Sequence, residues 1–206
     1  MSRTLIATLV VLLAGVLAFA HLTHGFSVIT AEAARRQAVA VAPVPLPGLV
    51  GIDQSGARRA LVDPDDHRVM IVDFIYTRCT SICSVLGDSY QQLQSQIEKQ
   101  HLEGQIRLVT VSFDPEHDSL AVIADYALRL RAHPGVWTIM SPMDARQLKS
   151  SLKAFGIVAT PSGNGQFVHN AAFHLIDRRG RLARIIDIDR PQRAVAAARQ
   201  LYDDAS

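Results

Sequence analysis

The chain has 206 residues, 49% of them hydrophobic and 19% charged, with a net charge of +2. Behind an apolar N-terminal segment about 160 residues remain, enough for one well-cored domain and too few for two typical ones. The near-neutral charge, with no dense Lys/Arg cluster among aromatics, excludes nucleic acid and strongly acidic partners.

Taken in chain order, Thr4 to Ala20 runs without charge behind Arg3, at the border between a signal-peptide core and a membrane-spanning helix. Ala18-Phe19-Ala20 has the small-x-small form of a cleavage site, and Ala31-Glu32-Ala33 is a weaker one. Residues 1–22 are therefore read as a transmembrane anchor or signal sequence, with the uncleaved anchor preferred. No cysteine follows directly, which excludes attachment of a lipid through one. The domain is expected outside the cytoplasm, where disulfides are allowed. Residues 23–45 read as an Ala/Pro-rich linker, semi-rigid at Pro43-x-Pro45-x-Pro47. Residues 46–206 read as the globular domain.

Within it, a hairpin is expected over 49–61, turning at Asp53-Gln54-Ser55-Gly56. Val69 to Tyr76 is short, apolar and rich in β-branched and aromatic residues, as in a buried strand. A helix is expected over 84–100, a second buried strand over 106–113, and a helix over 119–131. A third strand over 136–140, a helix over 145–155 stopped by Gly156, and a loop at Ser162-Gly163-Asn164-Gly165 follow. Phe167–Asp177 and Leu182–Ile188 are expected to form one hairpin around Arg178-Arg179-Gly180. Pro191 opens a last helix. The order β-α-β-α-β-α-β-β-α predicts an α/β fold, with a central mixed sheet and helices on both faces.

The two cysteines of the chain, Cys79 and Cys83, fall where the first long strand hands over to a helix. Unpaired backbone N–H groups and the helix dipole favour a thiolate there. Four residues apart, both sulfurs face one spot on a helical turn, where they hold a soft metal or close a disulfide. Arg78 adds positive charge beside them. The competing reading is a pair of small buried hydrophobes.

Three features together carry a resemblance: Tyr76-Thr77-Arg78-Cys79-Thr80-Ser81-Ile82-Cys83 after a strand, Ser112-Phe113-Asp114-Pro115-Glu116-His117-Asp118 after the next, and a histidine before a late hairpin. From about residue 46 to the end, the chain resembles the Sco/SenC family of thioredoxin-like, membrane-anchored copper proteins. Members help assemble the copper centre of cytochrome c oxidase. The resemblance implies a thioredoxin-like fold and copper, Cu(I) or Cu(II), held by Cys79, Cys83 and His169. His169 lies eleven residues before the hairpin glycine, Gly180, where the family places its histidine. It implies a copper chaperone with a redox dithiol, at the bacterial inner membrane facing the periplasm, or in the periplasm if the segment is cut. The partner implied is the copper-bearing subunit of cytochrome c oxidase or another copper-handling protein. Thr80, Ser81 and Ser84 depart from the commonest motif, T-x-C-P-D-x-C-P. Losing its acid lowers the cysteine pKa slightly, and losing its prolines loosens the turn.

His169 has seven rivals among the eight histidines. His21 and His24 flank the anchor, while His67, His101, His117 and His133 read as solvated surface. His174 is the strongest rival. In one continuous strand His169 and His174 would point to opposite faces, and His174 sits inside an apolar run that favours packing. Asp118 reads as the N-cap of the helix over 119–131 and Asp114 as a turn former. The alternative is that both support the site. Met140 and Met143 read as packing rather than metal ligation, Trp137 as core, and Tyr76 and Thr77 as shaping the site.

Three other functions compete. A metal-independent periplasmic thiol–disulfide oxidoreductase would use Cys79 and Cys83 alone. It is weakened because no proline lies between Pro161 and Pro191 to face the dithiol. A redox or copper sensor needs a regulated partner that the sequence does not name. A peroxidase would need a single activated cysteine. A monomer is expected, since no long exposed apolar stripe is evident.

Overall fold

The structure is a computed structural model. It describes residues 3–22, 30–79, 82–163 and 165–204, without the side chains of residues 4, 19–22 and 82–85. The chain divides into two units, Met1–Ala42 and Pro43–Ser206.

The first unit holds helices α1 (Arg3–Leu22) and α2 (Ala31–Val41). Among the described residues, no helix is long and apolar enough to cross a membrane. The transmembrane reading of residues 1–22 is thus not confirmed by the fold. Residues 31–41, part of the stretch read as an Ala/Pro-rich linker, are helical. Their alanines favour a helix. The Thr30 hydroxyl caps it by accepting from the Ala33 N–H (3.1 Å), and Glu32 pairs with Arg36 one turn on (3.0 Å). His24 lies outside the described residues.

In the second unit, β1 (Val44–Pro45), β2 (Val50–Asp53) and β3 (Arg58–Ala60) precede the long strand β4 (Val69–Ile75), in which every residue is buried. Then follow α3 (Ile82–Lys99), β5 (Ile106–Ser112), α4 (Leu120–Leu130), β6 (Trp137–Pro142) and α5 (Ala145–Phe155). The chain closes with β7 (Ala159–Gly163), β8 (Gln166–His169), β9 (Phe173–Ile176), β10 (Arg181–Ile186) and α6 (Pro191–Asp203). The eight-stranded sheet has the order β1-β10-β9-β4-β5-β6-β2-β3. Among the described residues only β4-β5 and β5-β6 pair in parallel, so the sheet is mixed, as expected. Val44, read as linker, pairs with Leu182 in this sheet.

Helices cover both faces. Tyr90 of α3 packs on Trp137 (5.2 Å between ring centroids) and on Phe173 (5.8 Å). Phe155 of α5 packs on Phe74 (4.9 Å) and on His174 (5.3 Å). Phe173 and His174 are successive in β9, so their side chains leave opposite faces. α5 has the expected bounds and ends at Gly156 in the left-handed conformation (φ 65°), and Asp144 caps its start by accepting from the Arg146 N–H (2.7 Å).

The expected long hairpin from Phe167 needs correction. Residues 167–177 contain two strands, with a break at 170–172. β8 turns back on β7 as a separate two-stranded hairpin, and only β9 pairs with β10. The segment 159–163, which carried no strand expectation, supplies the partner. The Asn170 side chain holds the break by accepting from the Val158 N–H (2.8 Å) and donating to the Gly156 carbonyl (2.9 Å).

Candidate metal centre

β4 delivers Tyr76, Thr77, Arg78 and Cys79 at its C-terminal end. The Cys79 N–H donates to the Tyr76 carbonyl (3.2 Å), folding the chain back on itself, and Cys79 is half-buried. Cys83 is the second residue of α3, inside its first turn. Its side chain and residues 80–81 lie outside the described residues. Among the described residues, no three His, Cys, Asp or Glu side chains gather closely enough to hold a metal.

The parallel register pairs Ile75 with Ser112, so the two residues beyond each strand end also lie side by side. Asp118 is fully buried there and is not a helix cap. Its carboxylate accepts from the Thr77 N–H (3.1 Å), the Thr77 hydroxyl (2.5 Å) and the Ser112 hydroxyl (2.6 Å). Ser119 takes the N-cap position without a side-chain cap bond. Asp114 accepts from the Arg78 guanidinium (2.7 Å), and its other oxygen meets Nδ1 of His117 (2.8 Å). Two buried carboxylates thus hold the residues just before Cys79. Capping and turn chemistry were reason enough for an aspartate at each position. Only the pairing of β4 with β5 showed a second use.

His169 ends β8 and is 8% exposed. Its ring sits against Tyr76 (6.0 Å) and Phe113 (5.0 Å), and Phe167 packs on both of those rings. Nδ1 lies 3.0 Å from the Asn170 carbonyl oxygen. A carbonyl only accepts, so Nδ1 carries the proton and Nε2 the lone pair. Burial pushes the imidazole below its ordinary pKa, partly offset by the Asn170 carbonyl, which keeps the ring neutral as a metal ligand must be.

His174 is elsewhere. It is 1% exposed, set edge-on between Phe74 and Phe155, with Nδ1 3.3 Å from the Val72 carbonyl. It packs in the core, as its apolar run suggested. The reason is the two different strands, not the parity of one continuous strand. His67, His101, His117 and His133 are exposed; Met140 and Trp137 are core, and Met143 is exposed.

A buried carboxyl, Asp73, escaped the sequence reading. It lies mid-strand in β4, 2% exposed, with Oδ1 unsatisfied. Burial pushes its pKa up to about 7, although the Thr110 and Tyr90 hydroxyls favour its charged form. An aspartate inside the apolar run 69–76 was the available signal.

A model of the SCO1/SenC family matches residues 51–202 of the chain. The chain belongs to the SCO1/SenC family. A curated relative, the SCO1 protein homolog of Bacillus subtilis (strain 168), is 26% identical over 116 residues, which are 55% of this chain and 59% of that protein. The chain thus spans under two thirds of that relative's length. Solved structures share the fold. A SCO1/SenC family lipoprotein from Bacillus anthracis matches with a TM-score of 0.70 at 20% identity, over 78% of this chain and 96% of its own. The copper-bound ScoI of Bradyrhizobium japonicum matches with a TM-score of 0.58 at 18% identity, over 77% and 99%. The SCO1/SenC chain thus has the mixed α/β fold of its family.

Proposed function

We propose that this SCO1/SenC protein is a copper chaperone whose Cys79, Cys83 and His169 hold one copper ion as cargo. The observation that carries the reading is His169 itself. It is a buried, neutral imidazole with Nδ1 engaged and its lone pair on Nε2, on a hairpin packed against Tyr76, three residues before Cys79. The donor chemistry fits: thiolates select Cu(I), and imidazole supports either oxidation state. The α3 N-terminus favours deprotonation of a thiol in its first turn. Ligands from two segments that meet only through tertiary packing leave a site able to release its metal. Relatives with copper bound support the cargo.

The recipient is the copper-bearing subunit of cytochrome c oxidase, as the family resemblance implies, or another copper-handling protein. Cys79 and Cys83 also form a redox dithiol that reduces recipient cysteines before transfer. Residues 1–22 act as signal or anchor, residues 23–45 as linker, and the domain works outside the cytoplasm as a monomer. Copper uptake by the reduced chain, beside His169→Ala, tests the reading. One copper per chain is expected, with a thiolate-to-copper absorption that is lost in the variant. No copper uptake, with a reversible Cys79–Cys83 disulfide, would overturn it in favour of a metal-independent thiol–disulfide oxidoreductase.

A further inference from the structure

The cysteine turn and the histidine come from segments some ninety residues apart, and the Tyr76 side chain bridges them. Tyr76 directly follows β4, with its ring fully buried. Its carbonyl accepts from the Cys79 N–H. Its hydroxyl accepts from the Phe167 N–H (3.1 Å) and shares its hydrogen between Gln166 Oε1 (3.0 Å) and the Phe167 carbonyl (3.3 Å). Gln166 then donates from Nε2 back to the Arg78 carbonyl (3.3 Å). On the other side of the turn, a Cβ at Gly165 would lie 2.9 Å from the Arg78 guanidinium, which Asp114 already fixes. The hairpin β7–β8 belongs to a separate two-stranded sheet, so no ladder with the main sheet holds it in place.

We infer that Tyr76 is a positioning residue: its hydroxyl clasps the His169-bearing hairpin to the cysteine turn and so sets the reach of the imidazole to the metal. The inference rests on the proposed Cys79, Cys83 and His169 ligand set. Thiolates suffice for Cu(I), whereas Cu(II) leans on the imidazole, so the clasp bears on the oxidised ion. A ring without the hydroxyl would fill the same space, yet take the tyrosine partner from the Phe167 N–H and from Gln166 Oε1.

The experiment compares the full chain with Tyr76→Phe, and with Gln166→Ala as a second variant that leaves the tyrosine ring in place. In the metal-free protein, hydrogen exchange at the amides of residues 166–169 is expected to rise about tenfold in Tyr76→Phe, as for loss of one buried hydrogen bond. Exchange at the amides of 106–112 should not change. With Cu(II) bound, the imidazole nitrogen coupling in the electron paramagnetic resonance spectrum should weaken and Cu(II) affinity fall roughly fivefold to tenfold. Cu(I) affinity should stay near the parent's. Parental exchange at 166–169, or a parental nitrogen coupling in both variants, would overturn the clasp. A chain that takes up no copper would sink the proposed function instead, and the exchange measurement would still decide whether Tyr76 holds the hairpin.

Discussion

Asp73→Asn should make the protein more stable at alkaline pH and nearly abolish one component of its pH dependence. The carboxyl is fully buried in β4, its pKa raised by burial from 3.8 to about 7, with Oδ1 unsatisfied. In an unfolded chain it would ionise near its ordinary value. Between those two values the folded state keeps the proton and the unfolded state does not, so stability falls as pH rises through that window. About three pH units at 1.36 kcal/mol each amount to on the order of 4 kcal/mol, roughly 3 of which is lost between pH 5 and pH 8. Among the described residues no charged partner softens this: the polar groups facing Asp73 are the Tyr90 and Thr110 hydroxyls, and its charge in turn raises the Tyr90 pKa, after burial. The assay is urea unfolding of the reduced, metal-free chain at a series of pH values, beside the variant. The stability difference should favour Asp73→Asn by roughly 3 kcal/mol more at pH 8 than at pH 5. A difference that does not change with pH would show that Asp73 is ionised in the fold, and would refute the reasoning.

Two further changes separate support of the site from ligation. Asp118→Ala removes a buried acceptor of three hydrogen bonds, so urea unfolding should show a loss of about 3 kcal/mol, and Cys79 should react faster with a thiol reagent as its turn loosens. His174→Ala leaves a cavity between Phe74 and Phe155, so it should cost about 2–4 kcal/mol in the same measurement while leaving copper stoichiometry unchanged. Loss of copper in that variant would make His174, not His169, the ligand.

The regular elements were legible because their residues obey local rules. Val69–Ile75 and Ile106–Ser112 are apolar and β-branched, as strands buried on both faces must be, and Gly156 marks the end of α5. What the sequence hid depends on pairing between distant segments. Phe167 to Asp177 looked like one strand because nothing local marks the break at 170–172, which Asn170 fixes by reaching back to Gly156 and Val158. Asp118 looked like a cap because it precedes a helix, and only the register of β4 on β5 turns it towards Thr77. The apolar run around His174 signalled packing, and His174 is buried in the core, although the parity argument that set it apart from His169 fails because the two lie in different strands. Tyr76 was expected to shape the site through its position beside Cys79. Its hydroxyl contacts with residues 166 and 167 were beyond any local reading.

The most direct test of the account is X-ray absorption at the copper edge of the reduced chain carrying one equivalent of copper, with Cys79→Ser beside it. The account predicts a shell of two sulfurs and one imidazole nitrogen, with half the sulfur amplitude lost in the variant. A shell of nitrogen and oxygen alone, or sulfur amplitude unchanged in Cys79→Ser, would contradict it.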